Sequence, residues 1–370
     1  MTQTGKFTVL VSGPLPPPLG GMETYCLDYL KTTIPNSFNI IFCRCVLLHK
    51  LHDTNGFCSL FLRVLNRILT LIVWLWNLFI NRPDLVHVHS NSGYGFYARG
   101  IMVKCAKLCG SKSILHMHGA SFKEFYQKSS IKQKKRIICI LCKPNVLIVL
   151  SMEWKRFFES IGVPSENIHV HINSVFLPIV YERTYKTDKL VVLYLSRIEQ
   201  RKGVNEIIDV INSYPCLGDM YKFVIAGPKS HEYDKIYRKV HDYNLQNIVD
   251  MPGPLVGHEK EIAYRTADVY LLQSYAEGLP IGLLEAMSYG IPCVTTPVGG
   301  IPDLVSHMKN GILIQPGDKE ALKDALITLA SDTKLRKNIG NQARITIEEC
   351  CSWHSGETKM IDLYHNIINT

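Results

Sequence analysis

Short apolar, β-rich runs alternate with longer helical patterns along this chain, and the whole rhythm occurs twice. The first series is "FTVLVS" (7–12), "FNIIFCRCVLL" (38–48), "DLVHVHS" (84–90), "SILHMHG" (113–119), "NVLIVLS" (145–151) and "NIHVHIN" (167–173). After the polar stretch "YERTYKTDK" (181–189) come "LVVLYLS" (190–196), "KFVIAG" (222–227), "IVDMPG" (248–253), "DVYLLQS" (268–274), "PCVTT" (292–296) and "GILIQ" (311–315). Strands that read as continuous apolar runs, each followed by a helix, require a parallel sheet covered on both faces. The expected class is therefore α/β, with two doubly wound Rossmann-like domains joined near residue 180. A chain of 370 residues is also longer than a single core usually grows. Ligands of such sheets bind outside the carboxyl ends of strands, so two such domains would face one another across a shared cleft.

Charge divides the same way. Residues 1–178 hold 20 Lys/Arg and 8 Asp/Glu (20 − 8 = +12), and residues 179–370 hold 21 and 24 (21 − 24 = −3). A basic first half points to an anionic surface or a phosphorylated substrate. Nucleic acid is not expected, because no zinc-finger spacing, basic zipper or RNA-recognition signature is present. The twelve cysteines lack a regular framework and read as reduced thiols of a cytoplasmic protein. Cys139 and Cys142 form a lone CxxC with no second pair at zinc spacing, which reads as core.

The first residues run straight into a strand, so no signal peptide is expected. The most apolar stretch, "ILTLIVWLWNLFI" (68–80), falls short of the roughly 20 residues a membrane span needs. Extended back to Phe57 it forms a helix with one polar stripe, Arg63, Arg67, Thr70, Trp74 and Asn77. A helix apolar nearly all round is either buried between layers or in part against lipid, and burial is the expectation here.

Three loops carry candidate chemistry. "SGPLPPPLGGMETY" (12–25) places Gly20 and Gly21 between a strand and a helix, where backbone N–H groups can approach a phosphate. "LSRIEQRKG" (195–203) places Arg197 and Lys202 after the strand that opens the second series. A guanidinium fork and an ammonium there can neutralise a diphosphate without a metal. "EGLPIGLLEAMSYGIP" (277–292) is a punctuated helix, with Pro280 at its first turn, Gly290 at its end and Pro292 beyond. Glu277 precedes that helix and Glu285 lies within it. A carboxylate can accept two hydrogen bonds from a vicinal diol, so two carboxylates flanking a helix N-terminus suit a nucleotide-sugar.

The segment "SYAEGLPIGLLEAMSYGIPCVTTPVGGIPDLV" (274–305) closely resembles the donor-binding region of family-four glycosyltransferases, retaining enzymes of GT-B architecture. The resemblance extends to the Gly-Gly loop, "PDLVHVHS" (83–90), "HMHGASF" (116–122), "LSRIEQRKG", "FVIAGP" (223–228) and a last helix from Trp353. It implies an acceptor-binding domain, 1–178, on which helix 353–370 packs back, and a nucleotide-sugar domain, 179–352. Glu277 would hold donor-sugar hydroxyls and Glu285 the ribose. Arg197 and Lys202 would hold the diphosphate, and Gly20 and Gly21 would lie at the phosphate and acceptor. His118 matches the family histidine beside the transferred sugar, which makes His118 and Glu277 the catalytic candidates. Gly227, Gly278, Leu279 and Pro280 join the donor-binding set from the matching stretches. "MPG" (251–253) stands where the family often has Phe-Leu-Gly, so the base is left open.

The function so implied is retaining transfer of a sugar from a nucleoside diphosphate to an acceptor hydroxyl. The acceptor would be a lipid-linked glycan of cell-surface polysaccharide assembly. No cofactor or metal is expected, since no Asp-x-Asp pair occurs. Lys123, Lys128, Lys132, Lys134, Lys135 and Arg136 suggest an anionic membrane surface as partner, with the protein peripheral on the cytoplasmic face.

The His-x-His pairs His87/His89, His116/His118 and His169/His171 each lie on one strand face, as metal ligands or, His118 aside, as satisfied strand-end histidines. Rival functions are an NAD-dependent oxidoreductase, on Gly93-x-Gly95-x-x-Ala98, a silent nucleotide-sugar-binding protein, and an epimerase of similar architecture. The first lacks the acidic residue that a ribose requires after the next strand.

Overall fold

The computed structural model describes residues 6–45, 57–179 and 189–370, with side chains in all of these except 57–64. The end of "FNIIFCRCVLL", most of "YERTYKTDK" and the side chain of Arg63 lie outside that set. The chain forms two compact units, Met1–Ile172 with Gly356–Thr370, and Asn173–Ser355. The divisions come at 172/173 and 355/356, where the sequence placed them at 178/179 and 352/353.

The first unit holds β1 (Thr8–Gly13), β2 (Asn39–Arg44), β3 (Leu85–Ser90), β4 (Lys112–Met117), β5 (Val146–Val149) and β6 (Ile168–Val170). They form one parallel sheet in the order β2-β1-β3-β4-β5-β6. The second unit holds β7 (Leu190–Leu195), β8 (Tyr221–Ala226), β9 (Val249–Gly253), β10 (Val269–Leu272), β11 (Cys293–Thr295) and β12 (Ile312–Leu313). Its parallel order is β12-β11-β10-β7-β8-β9. The order reverses between β1 and β3 in one unit and between β7 and β10 in the other, and such switch points are where open α/β sheets take ligands.

Apolar strand residues are buried on both faces. Val9, Leu10, Val11, Val86, Ile114 and Leu147 of the first sheet are inaccessible to solvent, as are Val269, Tyr270, Leu271 and Val294 of the second. The C-terminal helix, Trp353–Asn369, joins the first unit from Gly356 onward. There the Tyr364 ring meets Phe38, and Glu357 accepts a hydrogen bond from the Thr33 backbone N–H at 2.9 Å.

Helix Phe57–Asn81 departs from the expected burial. It packs over β1 and β2 and buries Asn66, Thr70, Trp74 and Leu78, while Ile72, Trp76, Phe79 and Ile80 are 55–67% exposed. Of the polar stripe, Thr70 and Trp74 thus face the sheet beside Leu78, whereas Arg67 is exposed and Asn77 half-buried, and an apolar face points outward. Burying Thr70 is tolerable because its hydroxyl donates to the Asn66 carbonyl at 2.7 Å inside the helix. Among the described residues, no helix is long and apolar enough to cross a membrane.

The cysteines divide as well. Cys26, Cys43, Cys45, Cys293 and Cys351 are buried, but Cys139 is exposed and Cys142 half-buried, so the CxxC straddles the edge of the core.

Candidate functional site

Sheet order creates the main constellation of the second unit. β7 and β10 are neighbours although some 75 residues separate them, with Val192 beside Val269 and Leu193 beside Tyr270. Their carboxyl ends therefore deliver the Lys202 loop and the Glu277 loop to one place. Lys202 Nζ donates to Glu277 Oε1 at 2.6 Å, and Ser274 Oγ donates to the same oxygen at 2.6 Å. Both side chains are buried, at 11% and 5% accessibility. An ion pair so far from water is held by geometry, because desolvation of the two charges offsets much of their attraction.

The backbone is shaped to bring these loops together. Gly203 adopts φ +72°, and a Cβ there would lie 2.0 Å from the Gln273 carbonyl oxygen, so only glycine lets the Lys202 turn press on the end of β10. Arg201 braces the same contact by donating to the Ala276 carbonyl at 2.7 Å. Gly227, just past β8, approaches the Ser196 carbonyl so closely that a Cβ would lie 1.8 Å from it. The loop before Arg197 is thereby packed against β8.

The punctuated helix spans Ile281–Ser288, with Pro280 at its N-cap, one position ahead of the first turn where the sequence places it, and no side chain capping it. Its end is closed by Gly290 N–H to Met287 O at 2.9 Å and Ile291 N–H to Ala286 O at 3.2 Å, with Gly290 at φ +66°. This pair of bonds is the Schellman arrangement that a C-terminal glycine permits. Ahead of the helix, the Gly278 carbonyl accepts from Gly300 N–H at 2.7 Å, and the Leu279 carbonyl from Asn173 Nδ2 at 2.9 Å. Gly278, Leu279 and Pro280 are thus fixed, leaving the first-turn N–H groups as a positive end.

Glu285 occupies a separate setting on that helix. Lys260 Nζ donates to Oε1 at 2.5 Å, and Tyr264 OH donates to Oε2 at 2.8 Å. Burial, then the charge of Glu285, pushes the Tyr264 hydroxyl well up, so it remains a donor. Arg197 is 43% exposed and lies 3.7 Å from Glu199. The structure therefore joins Lys202 to Glu277 directly, and holds Arg197 and Glu285 through other partners. Ser274, Arg201, Lys260 and Tyr264 are the residues that sequence reading missed. Ser274 lay within the quoted resemblance, three residues before Glu277, but nothing local signalled the tyrosine or the lysine of the preceding helix.

In the first unit, Gly20 is extended (φ −173°) and caps helix Gly21–Tyr29 without a side-chain bond. Any residue can adopt that φ, so what the glycines contribute is the lack of a side chain. His118 follows β4 directly, half-buried, with Nε2 2.9 Å from His89 Nδ1 and its ring 4.1 Å from that of His116. His87 Nδ1 lies 2.5 Å from Tyr364 OH, and His87 Nε2 lies 3.2 Å from His116 Nδ1. The two strand-face pairs therefore interlock across β3 and β4. Burial drives the imidazoles of His87, His118 and His171 down to about 3, so all are neutral.

Ligand atoms of His87, His89 and His116 fall within 4.8 Å of one another, the one such trio among the described residues. The rings of His87 and His116 are nearly parallel, at 17°, and aim their nitrogens at each other. A metal requires lone pairs that converge on one point, and this arrangement fits an imidazole network better. Gly93 (φ +79°) opens helix Tyr94–Leu108 after β3, but the end of β4 and the residue after it carry His116 and His118, leaving the oxidoreductase reading without its carboxylate.

Comparison with known proteins places this geometry. Residues 182–346 match the family model described as Glycosyl transferases group 1. A putative colanic acid biosynthesis glycosyltransferase, WcaL of Salmonella typhimurium, is 30% identical over 186 residues, 48% of this chain and 46% of that protein. The chain spans about half the length of the curated relatives it matches. Sucrose-phosphate synthase from Thermosynechococcus elongatus has a TM-score of 0.79 at 17% identity, over 98% of this chain and 100% of that one. HepE of Anabaena, solved with UDP and glucose, has a TM-score of 0.77 at 17% identity, over 97% and 100%. At these identities the solved structures speak for the fold. Residues 182–346 thus carry the similarity to the glycosyl transferases group 1 family, on a chain built of the two doubly wound sheets of the GT-B fold.

Proposed function

We propose that this chain transfers a sugar from a nucleoside-diphosphate donor to an acceptor hydroxyl, with retention at the anomeric carbon. The observation that carries this reading is the buried Lys202–Glu277 pair at the switch point of the second sheet. Lys202 and Ser274 both engage Oε1, and the reading assigns Oε2 to hydroxyls of the donor sugar. Glu285 takes the ribose diol, exchanging its Lys260 contact for it. Arg197, Lys202 and the N-terminus of helix Ile281–Ser288 take the diphosphate, with Gly227, Gly278, Leu279 and Pro280 shaping its seat. In the first unit, Gly20 and Gly21 serve the phosphate and the acceptor, and His118 the transferred sugar.

The chemistry follows from charge. The anomeric C–O bond to the diphosphate breaks as the acceptor oxygen bonds on the same face, and the acceptor proton passes to the departing phosphate oxygen. Negative charge grows on the diphosphate as the bond breaks, so fixed positive groups stabilise the transition state more than the ground state. No protein nucleophile is required, and no divalent metal has a role.

The acceptor class rests on other support: WcaL's name speaks of colanic acid biosynthesis, and the first half of the chain carries a +12 balance. A lipid-linked glycan at an anionic membrane surface, on its cytoplasmic face, suits both. The UDP complex of HepE favours a uridine donor. Purified protein incubated with a panel of nucleotide-sugars tests the reading by release of nucleoside diphosphate, with and without a lipid-linked acceptor. Acceptor-stimulated release that persists in EDTA is expected. No release from any donor, or turnover lost in EDTA and restored by manganese, would overturn the corresponding claim.

A further inference from the structure

Helix Phe57–Asn81 presents Ile68, Ile72, Val73, Trp76, Phe79 and Ile80 to solvent. They recur at spacings of three and four, so they form one continuous stripe along the outward face. A globular protein rarely exposes so long an apolar stripe without a partner for it.

The neighbouring helices say what that partner is. Trp74 and Leu78 share one buried cluster with Phe96, Met102, Ile137 and Ile140, so helices Phe57–Asn81, Tyr94–Leu108 and Ile131–Leu141 lie in one layer on one face of the sheet. Right-handed crossovers between β2, β3, β4 and β5 require the same placement. Ser111 donates to the Pro83 carbonyl at 2.7 Å, which ties the ends of the first two helices side by side. None of the three helices contains an Asp or Glu. Arg67, Lys104, Lys107, Lys132, Lys135 and Arg136 are all exposed on them.

We infer that this helix layer is a bilayer-docking face, with helix Phe57–Asn81 lying in the plane of an anionic leaflet, its Ile72–Trp76–Phe79 stripe among the acyl chains and the flanking lysines and arginines at the headgroups. An apolar stripe gains from leaving water, and a border that is cationic on these three helices gains from anionic lipid, with Glu153 and Glu159 of the adjoining helix Met152–Ser160 set against Lys123 and Lys155. A second copy is a poor occupant, because a two-fold contact would oppose one cationic border to another. The inference rests on the membrane part of the proposed function and adds the element that inserts.

The four tryptophans make the test direct. Trp74, Trp154 and Trp353 are 1–5% exposed, whereas Trp76 is 67% exposed. With vesicles containing phosphatidylglycerol brominated on the acyl chain, fluorescence of the full chain is expected to fall, and Trp76→Phe is expected to remove the quenching. The double variant Ile72→Asp/Phe79→Asp alters exposed positions only, and its vesicle partition is expected to drop about tenfold or more with donor turnover in detergent unchanged. Binding that charge reversal at Lys132 and Lys135 abolishes but the double variant leaves intact overturns insertion while the membrane surface stands as partner. Absence of binding to any vesicle overturns both. A stable dimer that the double variant dissolves assigns the stripe to a second copy and overturns the inference. Full vesicle insertion without sugar transfer from any donor keeps this inference and removes the enzymatic reading instead.

Discussion

The two units share a six-stranded parallel sheet, yet they treat charge and apolar surface in opposite ways. The first keeps neutral imidazoles inside, where His87, His89, His116 and His118 hold one another across β3 and β4, and turns an apolar helix face outward. The second keeps an ion pair inside, where Lys202 and Glu277 meet between β7 and β10, and seals it with close backbone approaches. One fold supports both because each feature sits on the loops and faces that the sheet leaves free.

Breaking the ion pair should produce the largest effect on stability. Lys202→Met leaves a buried carboxylate without its partner, and about 3–5 kcal/mol of stability should be lost, read as a lower denaturant midpoint for the second unit alone. Gly203→Ala comes next. Its Cβ would overlap the Gln273 carbonyl, and about 1–3 kcal/mol is expected for the strain, with donor turnover falling alongside because the Lys202 turn is displaced.

Acid should separate the units further. His87, His118 and His171 have folded values of about 3 against about 6.5 for an unfolded histidine. The unfolded chain thus binds more protons between pH 6.5 and 3, so stability of the first unit is complete above 6.5 and falls as pH drops through that window. Thermal melts monitored by hydrogen exchange should show peptides of β3 and β4 losing protection at pH 5 before those of β7 and β10. Equal losses in both sheets would contradict the asymmetry. The smallest effect is expected at Tyr264→Phe, which removes one hydrogen bond to Glu285. About 1 kcal/mol should appear mainly in donor KM, with kcat nearly unchanged.

All twelve strands were legible as mainly apolar runs, because the central strands are buried on both faces, while β2 and β9 at the sheet edges keep exposed positions. The helix at 281–288 was legible from its proline and glycine punctuation. What local sequence could not give was the meeting of Lys202 with Glu277, since that depends on β10 inserting beside β7, a fact of sheet order and not of spacing. Helix Phe57–Asn81 misled for a related reason. A sequence apolar nearly all round reads as buried, but only the face carrying Asn66, Thr70, Trp74 and Leu78 meets the sheet, with the Thr70 hydroxyl satisfied by the Asn66 carbonyl, and another apolar face is left outward. The His-x-His pairs showed a shared face, and only the register that sets His89 beside His116 turned two faces into one network.

Glu277→Gln tests the central claim most directly. The substitution keeps the shape and an acceptor oxygen toward Lys202 and Ser274, but removes the charge that the reading aims at the donor sugar. Turnover with the preferred nucleotide-sugar and calorimetric affinity for its nucleoside diphosphate are measured on the same preparation. A fall of about 100-fold or more in kcat, with diphosphate affinity changed by less than about threefold, is the predicted result. Equal losses in the two, or turnover at the wild-type rate, would contradict the assignment of Glu277 to the transferred sugar.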